Sequence, residues 1–201
     1  MTMIQKIEFL LLVIISLSLF IITMSLSFKM RKLRKETNKR IKTLEREVRF
    51  DFLTDALSRK AFIEEMESSL AVKGEGTLLI FDINGFKSVN TMYGHLAGDG
   101  LIKRYSQKLL KEFDKEFVGR LEGDEFMVFI PGSCSREEIN SRIKRSGAAK
   151  FADKPTKLQI TSCCGAAQAP KNGMKFDDLY EKADKALCHS KSNDNTISYY
   201  N

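Results

Sequence analysis

From Phe9 to Phe28 the chain runs twenty residues without a charge (FLLLVIISLSLFIITMSLSF). No other feature restricts the architecture as much. Coiled into a helix, about 20 apolar residues cover the ~30 Å hydrocarbon core of a bilayer. A cleaved signal peptide would place positive charge before a shorter apolar core and a small-residue cleavage site after it. Here the positive charge follows the run and no A-x-A is present. The expectation is an uncleaved membrane anchor over residues 1–28.

Charge decides which side the remainder lies on. Residues 29–50 hold ten Lys/Arg against three Glu, whereas residues 51–201 hold 22 basic and 22 acidic side chains. The formal net charge of +7 therefore belongs to one segment. Positive residues stay cytoplasmic, which leaves a stub of about eight residues outside and everything after Lys29 inside. The expected location is the plasma (inner) membrane, single-pass, with a cytoplasmic C-terminal domain. The basic segment also sits where anionic headgroups would attract it; setting topology alone accounts for it equally well. A nucleic-acid-binding domain would carry its charge on the fold itself, so no nucleic-acid partner is expected. Met30, Leu33, Ile41, Leu44 and Val48 recur at helical spacings. They fit a short two-stranded coiled coil over residues 29–50, or a solvated helix lying on the membrane. Cys134, Cys163, Cys164 and Cys188 have no C-x-x-C spacing, so neither zinc nor a disulfide framework is indicated. Adjacent Cys163 and Cys164 would point to opposite faces of a strand.

Residues 51–201 form the expected globular domain. Period and punctuation predict helices over 60–71, 88–93, 97–113, 136–146 and 176–190. Strands are predicted over 77–83, 117–121, 125–130 and 158–167, the middle two joined as a hairpin through Gly123. This order predicts an α+β fold: a palm-like, ferredoxin-like βαββαβ antiparallel sheet with helices on one face. The end of the first strand and the hairpin turn then become neighbours, so that Asp82 and Asp124 meet although 42 positions separate them.

Each of those acids alone has an ordinary explanation, as a helix cap or a solvated turn residue. Together they point to chemistry. Both stand at strand ends beside glycine, and Glu125 follows Asp124. Converging carboxylates repel one another and raise each other's pKa. A divalent cation removes that cost, and Mg²⁺ takes few protein carboxylates while phosphate oxygens complete its shell.

Four ordered blocks carry a resemblance. Asp51-Phe-Leu-Thr-Asp-Ala-Leu-Ser-Arg59 is similar to D-x-L-T-x-x-x-x-R. Asp82-Ile-Asn-Gly-Phe-Lys-Ser-Val-Asn90, with Gly94-His95 and Gly98-Asp99, resembles D-x-D-x-F-K-x-x-N-D-x-x-G-H-x-x-G-D. Glu122-Gly-Asp-Glu-Phe126 stands at a G-G-D-E-F signature, and Ala183-Asp-Lys-Ala-Leu187 with Lys191 at a closing A-D-x-A-L-Y-x-A-K. The chain from Asp51 to about Lys191 resembles the GGDEF domain of diguanylate cyclases. The resemblance implies that Asp82, Asp124 and the Ile83 carbonyl hold Mg²⁺, or Mn²⁺ in its place. It implies that Asn90 and Asp99 read guanine, that Lys87 and Lys191 meet the triphosphate of GTP, and that His95 lies near the substrate. The implied reaction condenses two GTP into cyclic di-GMP, with Asp124 or Glu125 accepting the proton. One domain binds one GTP, so a homodimer is implied, and a paired stalk would raise the effective concentration of the second domain.

The chain also departs from the pattern. Glu122 replaces the first signature glycine and adds bulk and negative charge near a triphosphate. Asn84 and Thr91 replace acids, Cys188 replaces a tyrosine, and Asn195 stands near the place of a closing arginine. Phe113-Asp-Lys-Glu116 does not match the R-x-x-D of product inhibition. A degenerate domain that binds GTP or a partner domain without turnover is the alternative that these departures favour.

Overall fold

A computed structural model of the chain describes residues 3–153, 157–193 and 196–201; within the first helix the side chains of residues 5–15, 38–39 and 42–48 are not described. The chain divides into two units, Met1–Arg46 and Glu47–Asn201.

Helix α1 (Met3–Arg49) is continuous. Its sequence contains neither Gly nor Pro, so nothing in it interrupts the backbone ladder. Among the described residues no helix is long and apolar enough to cross a membrane. The expected span Phe9–Phe28 lies partly outside them, since the side chains of residues 9–15 are not described. Of the narrow apolar stripe, Met30, Leu33 and Ile41 are exposed, while Leu44 and Val48 fall outside the described side chains.

The second unit is built on a six-stranded sheet. Its strands are β1 (Gly76–Ile83), β2 (Val118–Glu122), β3 (Glu125–Pro131), β4 (Lys150–Ala152), β5 (Gln159–Ala169) and β6 (Ile197–Tyr199). The order across the sheet is β2-β3-β1-β5-β4, and β6 runs parallel to β5 while the other pairs are antiparallel. Helices α2 (Arg59–Lys73), α3 (Phe86–Tyr93), α4 (His95–Glu112), α5 (Arg136–Ser146) and α6 (Phe176–Ser192) complete it.

The expectation of helices on one face is corrected. Leu79, Phe81 and Ile83 of β1 pack with Leu101, Ile102, Tyr105 and Leu109 of α4 and with Ile139 and Ile143 of α5. Leu78 and Ile80 pack oppositely, with Phe62, Met66 and Leu70 of α2 and Leu179, Ala183 and Leu187 of α6. The reason stands in the composition of β1: Leu78-Leu-Ile-Phe81 is apolar at every position, so both faces must be covered. Cys163 and Cys164 divide between the two cores as alternation requires. The sheet is antiparallel as expected, with the short β6 added in parallel on the edge of β5. Strands β4 and β6, with three residues each, are too short to show a period; the open edge of β5 defines them.

Candidate active site

The site is assembled where β1 ends and the β2–β3 hairpin turns. In the antiparallel register Asp82 stands directly opposite Glu125 on one side and Cys163 on the other. Directly opposed residues share a face, and here it is the face covered by α2 and α6, to which Cys163 contributes. Glu122 pairs with Glu125, so Gly123 and Asp124 form the two-residue loop. Gly123 adopts φ +51°, and a Cβ there would meet nothing within 4 Å. Its requirement is conformational, and two-residue hairpin loops favour such a residue.

Arg120 holds that turn in place. Its Nε and Nη2 donate to the Gly123 carbonyl at 3.0 and 2.7 Å, and its Nη1 donates to Asp51 Oδ1 at 3.1 Å. Asp51 in turn accepts from the Leu53 amide (3.2 Å) and the Thr54 hydroxyl (2.7 Å). The opening block of the domain thereby braces the acidic loop from 69 positions away. Sequence reasoning assigns Arg120 no role and Asp51 none beyond its motif. A signal is present nonetheless, since an arginine two positions before a Glu-Gly-Asp-Glu turn can satisfy that turn's carbonyl.

Lys191, in the last turn of α6, places Nζ 2.6 Å from Asp82 Oδ2. The resemblance puts it on a triphosphate; the structure places it on the carboxylate beneath. Burial would lower the pKa of Lys191, but the hydrogen bond to Asp82 and the charges of Asp82, Glu125 and Asp124 raise it overall. Asp124 is held above the ordinary carboxylate range, first by burial and then by the charge of Asp82. Glu125 is raised by the same two causes in the same order, with Asp124 and Asp184 adding to them. Burial raises Tyr180 as well, and Glu125, Asp184 and Glu122 push it further. Asp82, Asp124, Glu125 and Lys191 are thus one electrostatic cluster. Glu122 is exposed at its rim.

A second group gathers at the α3–α4 corner. The Asn90 side-chain oxygen is buried without a hydrogen-bond partner. A Cβ at Gly98 would come within 1.9 Å of it, so only glycine lets α4 approach so closely. A buried acceptor without a donor costs about 1–3 kcal/mol. His95 opens α4, and Asp99 follows one turn later; both are exposed, as is Lys87 on α3. Among the described residues no hydrogen bond or ion pair joins this corner to the carboxylate cluster. Asn84, which replaces an acid, donates from Nδ2 to Thr161 Oγ1 at 3.0 Å, and its amide N–H reaches the Thr161 carbonyl at 2.9 Å. These bonds tie the Ile83–Asn84 peptide to β5. Asn195 lies outside the described residues.

Among the described residues no three His, Cys, Asp or Glu side chains are drawn together closely enough to hold an ion by themselves. The donor chemistry still suits a hard cation: Asp82 at the end of β1 stands opposite Glu125 at the start of β3, with Asp124 in the adjoining loop. Mg²⁺ asks for one or two such ligands and takes the rest from phosphate and water.

Comparison with known proteins supplies the family. Residues 48–196 match the family described as "Diguanylate cyclase, GGDEF domain". The chain is 32% identical over 149 residues to the diguanylate cyclase DgcP of Pseudomonas aeruginosa, covering 70% of this chain and 22% of that protein. It is 28% identical over 150 residues to the diguanylate cyclase DgcS of Shewanella oneidensis, covering 71% and 49%. A domain of the Pseudomonas aeruginosa protein named cyclic di-GMP phosphodiesterase NbdA is 29% identical over 157 residues, covering 75% and 20%. The chain therefore spans between a fifth and a half of these relatives. Among solved structures, the coiled coil and GGDEF domain of DgcB from Caulobacter crescentus, in complex with c-di-GMP, superposes with a TM-score of 0.74 at 21% identity, covering 85% of this chain and 95% of that one. A sensory box/GGDEF family protein from the same species gives 0.63 at 28% identity, covering 72% and 99%. With well over half of its length matched, the chain belongs to the GGDEF domain family.

Proposed function

We propose that the domain binds GTP with Mg²⁺, or Mn²⁺ in its place, and condenses two GTP into cyclic di-GMP with release of two pyrophosphates. The observation that carries this reading is the register of β1 against β3, which sets Asp82 opposite Glu125 with Asp124 in the adjoining loop. Asp82, Asp124 and the Ile83 carbonyl are the groups that would hold the cation. When bound, the cation lowers the pKa of the attacking hydroxyl and offsets charge on the phosphates. The chain's own residues do the rest. Asn90 and Asp99 orient guanine, the unpartnered Asn90 oxygen accepting from its N–H edge. Lys87 and Lys191 attract the triphosphate as point charges. The 3′-oxygen of one GTP bonds to the α-phosphorus of the other, the bond from that phosphorus to the β-phosphate bridging oxygen breaks, and the hydroxyl proton passes to a carboxylate. Asp124 in the β2–β3 loop and Glu125 beside it are the carboxylates placed for that role. Each domain binds one GTP, so the active unit is a homodimer. We place the chain in the plasma membrane through Phe9–Phe28 with residues 29–50 as its paired stalk, on the charge pattern and the continuity of α1.

A second reading has specific support. Glu122 brings another negative charge to the rim, and a related domain occurs within a protein named for the opposite activity. In that reading the domain binds GTP or a partner domain without turnover. Full-length protein in detergent, incubated with GTP and Mg²⁺ or Mn²⁺ and resolved by chromatography, separates the two. The expected result is cyclic di-GMP that disappears in Asp124→Ala. GTP binding with no product at high protein concentration would establish the second reading, and a gain of product in Glu122→Gly would name the cause.

A further inference from the structure

On the opposite half of α4 from Asp99, a cleft of about 530 Å³ opens between α4, the end of α5 and β4. Arg104, Lys108 and Lys111 line one wall, Arg145 another, and Phe151 and Asp153 the strand side. The three α4 cations recur at i, i+4 and i+7, which sets them on one helix face where like charges repel. Residues 51–201 carry equal numbers of acidic and basic side chains, so this concentration is local.

The partners within the cleft do not neutralise it. Asp153 is buried and receives Arg104 Nε at 2.6 Å. Arg145 reaches Glu112 at 2.8 Å, a carboxylate that also serves Arg142 at 3.7 Å. No ion pair involves Lys108 or Lys111 among the described residues. Lys108 is half-buried, its Nζ 4.6 Å from the centre of the Phe151 ring and next to Gly147, at the C-terminal end of α5. Ring and helix end offset part of its desolvation. Lys111 has neither.

We propose that this cleft is a second anion site, separate from the carboxylate cluster, whose ligand carries two or more linked phosphoryl groups. The spacing supports more than one phosphate. Lys108 and Lys111 lie one turn apart, about 5–6 Å between Cβ atoms, and Arg145 faces them from α5. A single phosphodiester, as in an anionic lipid headgroup, brings one charge for the two lysines that lack an ion pair, whereas a pyrophosphate or polyphosphate matches both, with Arg145, already held by Glu112, as a further donor. Lys108 stands nine residues after Asp99 on the same helix, about 13 Å along its axis. A ligand bridging α4 to α5 and β4 would therefore stiffen the helix that carries Asp99.

The test is calorimetric titration of the full-length protein in detergent with sodium pyrophosphate, in chelator so that no divalent cation is present. Saturable binding is expected, weakened at least tenfold in Lys108→Gln/Lys111→Gln and restored in Lys108→Arg/Lys111→Arg. A parallel titration with glycerophosphoglycerol, the water-soluble form of a lipid headgroup, is expected to bind at least tenfold more weakly. Unchanged binding in the glutamine variant, or a headgroup bound as tightly as pyrophosphate, would overturn the proposal.

Discussion

The carboxylate cluster and the basic cleft are opposite in sign and in origin. The acids converge from the end of β1, the β2–β3 loop and the start of β3, and α6, far from them in sequence, brings Lys191 into their midst. The cations of the cleft come mostly from one face of α4. Concentrating like charge along one helix face requires only the helical repeat. Concentrating it from three elements requires a sheet register and a braced turn, and a structure that bears that cost signals chemistry more strongly.

Variants can break the contrast. The largest effect is expected for Asp124→Ala, which should lower cyclic di-GMP formation by a factor of ~1,000 or more, as removal of a cation-holding carboxylate does in metal-assisted catalysis. Chromatographic product assays read it. If activity survives, the cluster is merely an ion-pair network.

Arg120→Ala should come next. It removes the guanidinium from the partly buried Asp51 and releases the exposed Gly123 carbonyl from its two donors. The expected cost is about 2–3 kcal/mol, read as a midpoint drop on the order of 5–10 °C in thermal unfolding. A drop below ~1 °C would show that the turn holds its shape without the brace.

Gly98→Ala probes the corner between the two charged regions. Its methyl group would overlap the Asn90 oxygen, and relieving that overlap should cost about 1–3 kcal/mol. GTP affinity, measured by titration, should fall by about tenfold through displacement of Asn90. Unchanged affinity would remove Asn90 from the guanine-reading role.

The smallest effect is a stabilisation. A carboxylate whose folded pKa lies above its unfolded value contributes stability at low pH that is lost as pH rises through the folded value. Asp124 is such a group. Asp124→Asn should therefore raise the unfolding midpoint at pH 7–8 by on the order of 1–2 °C, with the gain vanishing below the unfolded carboxylate value of about 4. A loss of stability at neutral pH would mean that the attraction of Lys191 outweighs burial and repulsion.

Much of the domain was legible in its residues. The stripes of α4 and α6 and the hairpin around Gly123 follow from period and turn chemistry, and the structure buries Leu101, Ile102, Tyr105, Leu179 and Ala183 as their spacing requires. The cover on the second face could have been read from Leu78–Phe81, whose unbroken apolar run excludes a solvated side. Strands β4 and β6 could not, because three residues carry no period.

The sequence by itself determined which residues could do chemistry: acids at strand ends, a glycine-rich corner, and a charge-free run ahead of a basic one. Those are local properties, governed by side-chain type and by repeats of two and 3.6. Only the tertiary structure decided which of them meet. Register across β1 and β3 set Asp82 against Glu125, the end of α6 delivered Lys191 to Asp82, and Arg120 joined Asp51 to the turn. Such meetings depend on strand pairing and helix packing between segments tens of residues apart, which no local repeat encodes.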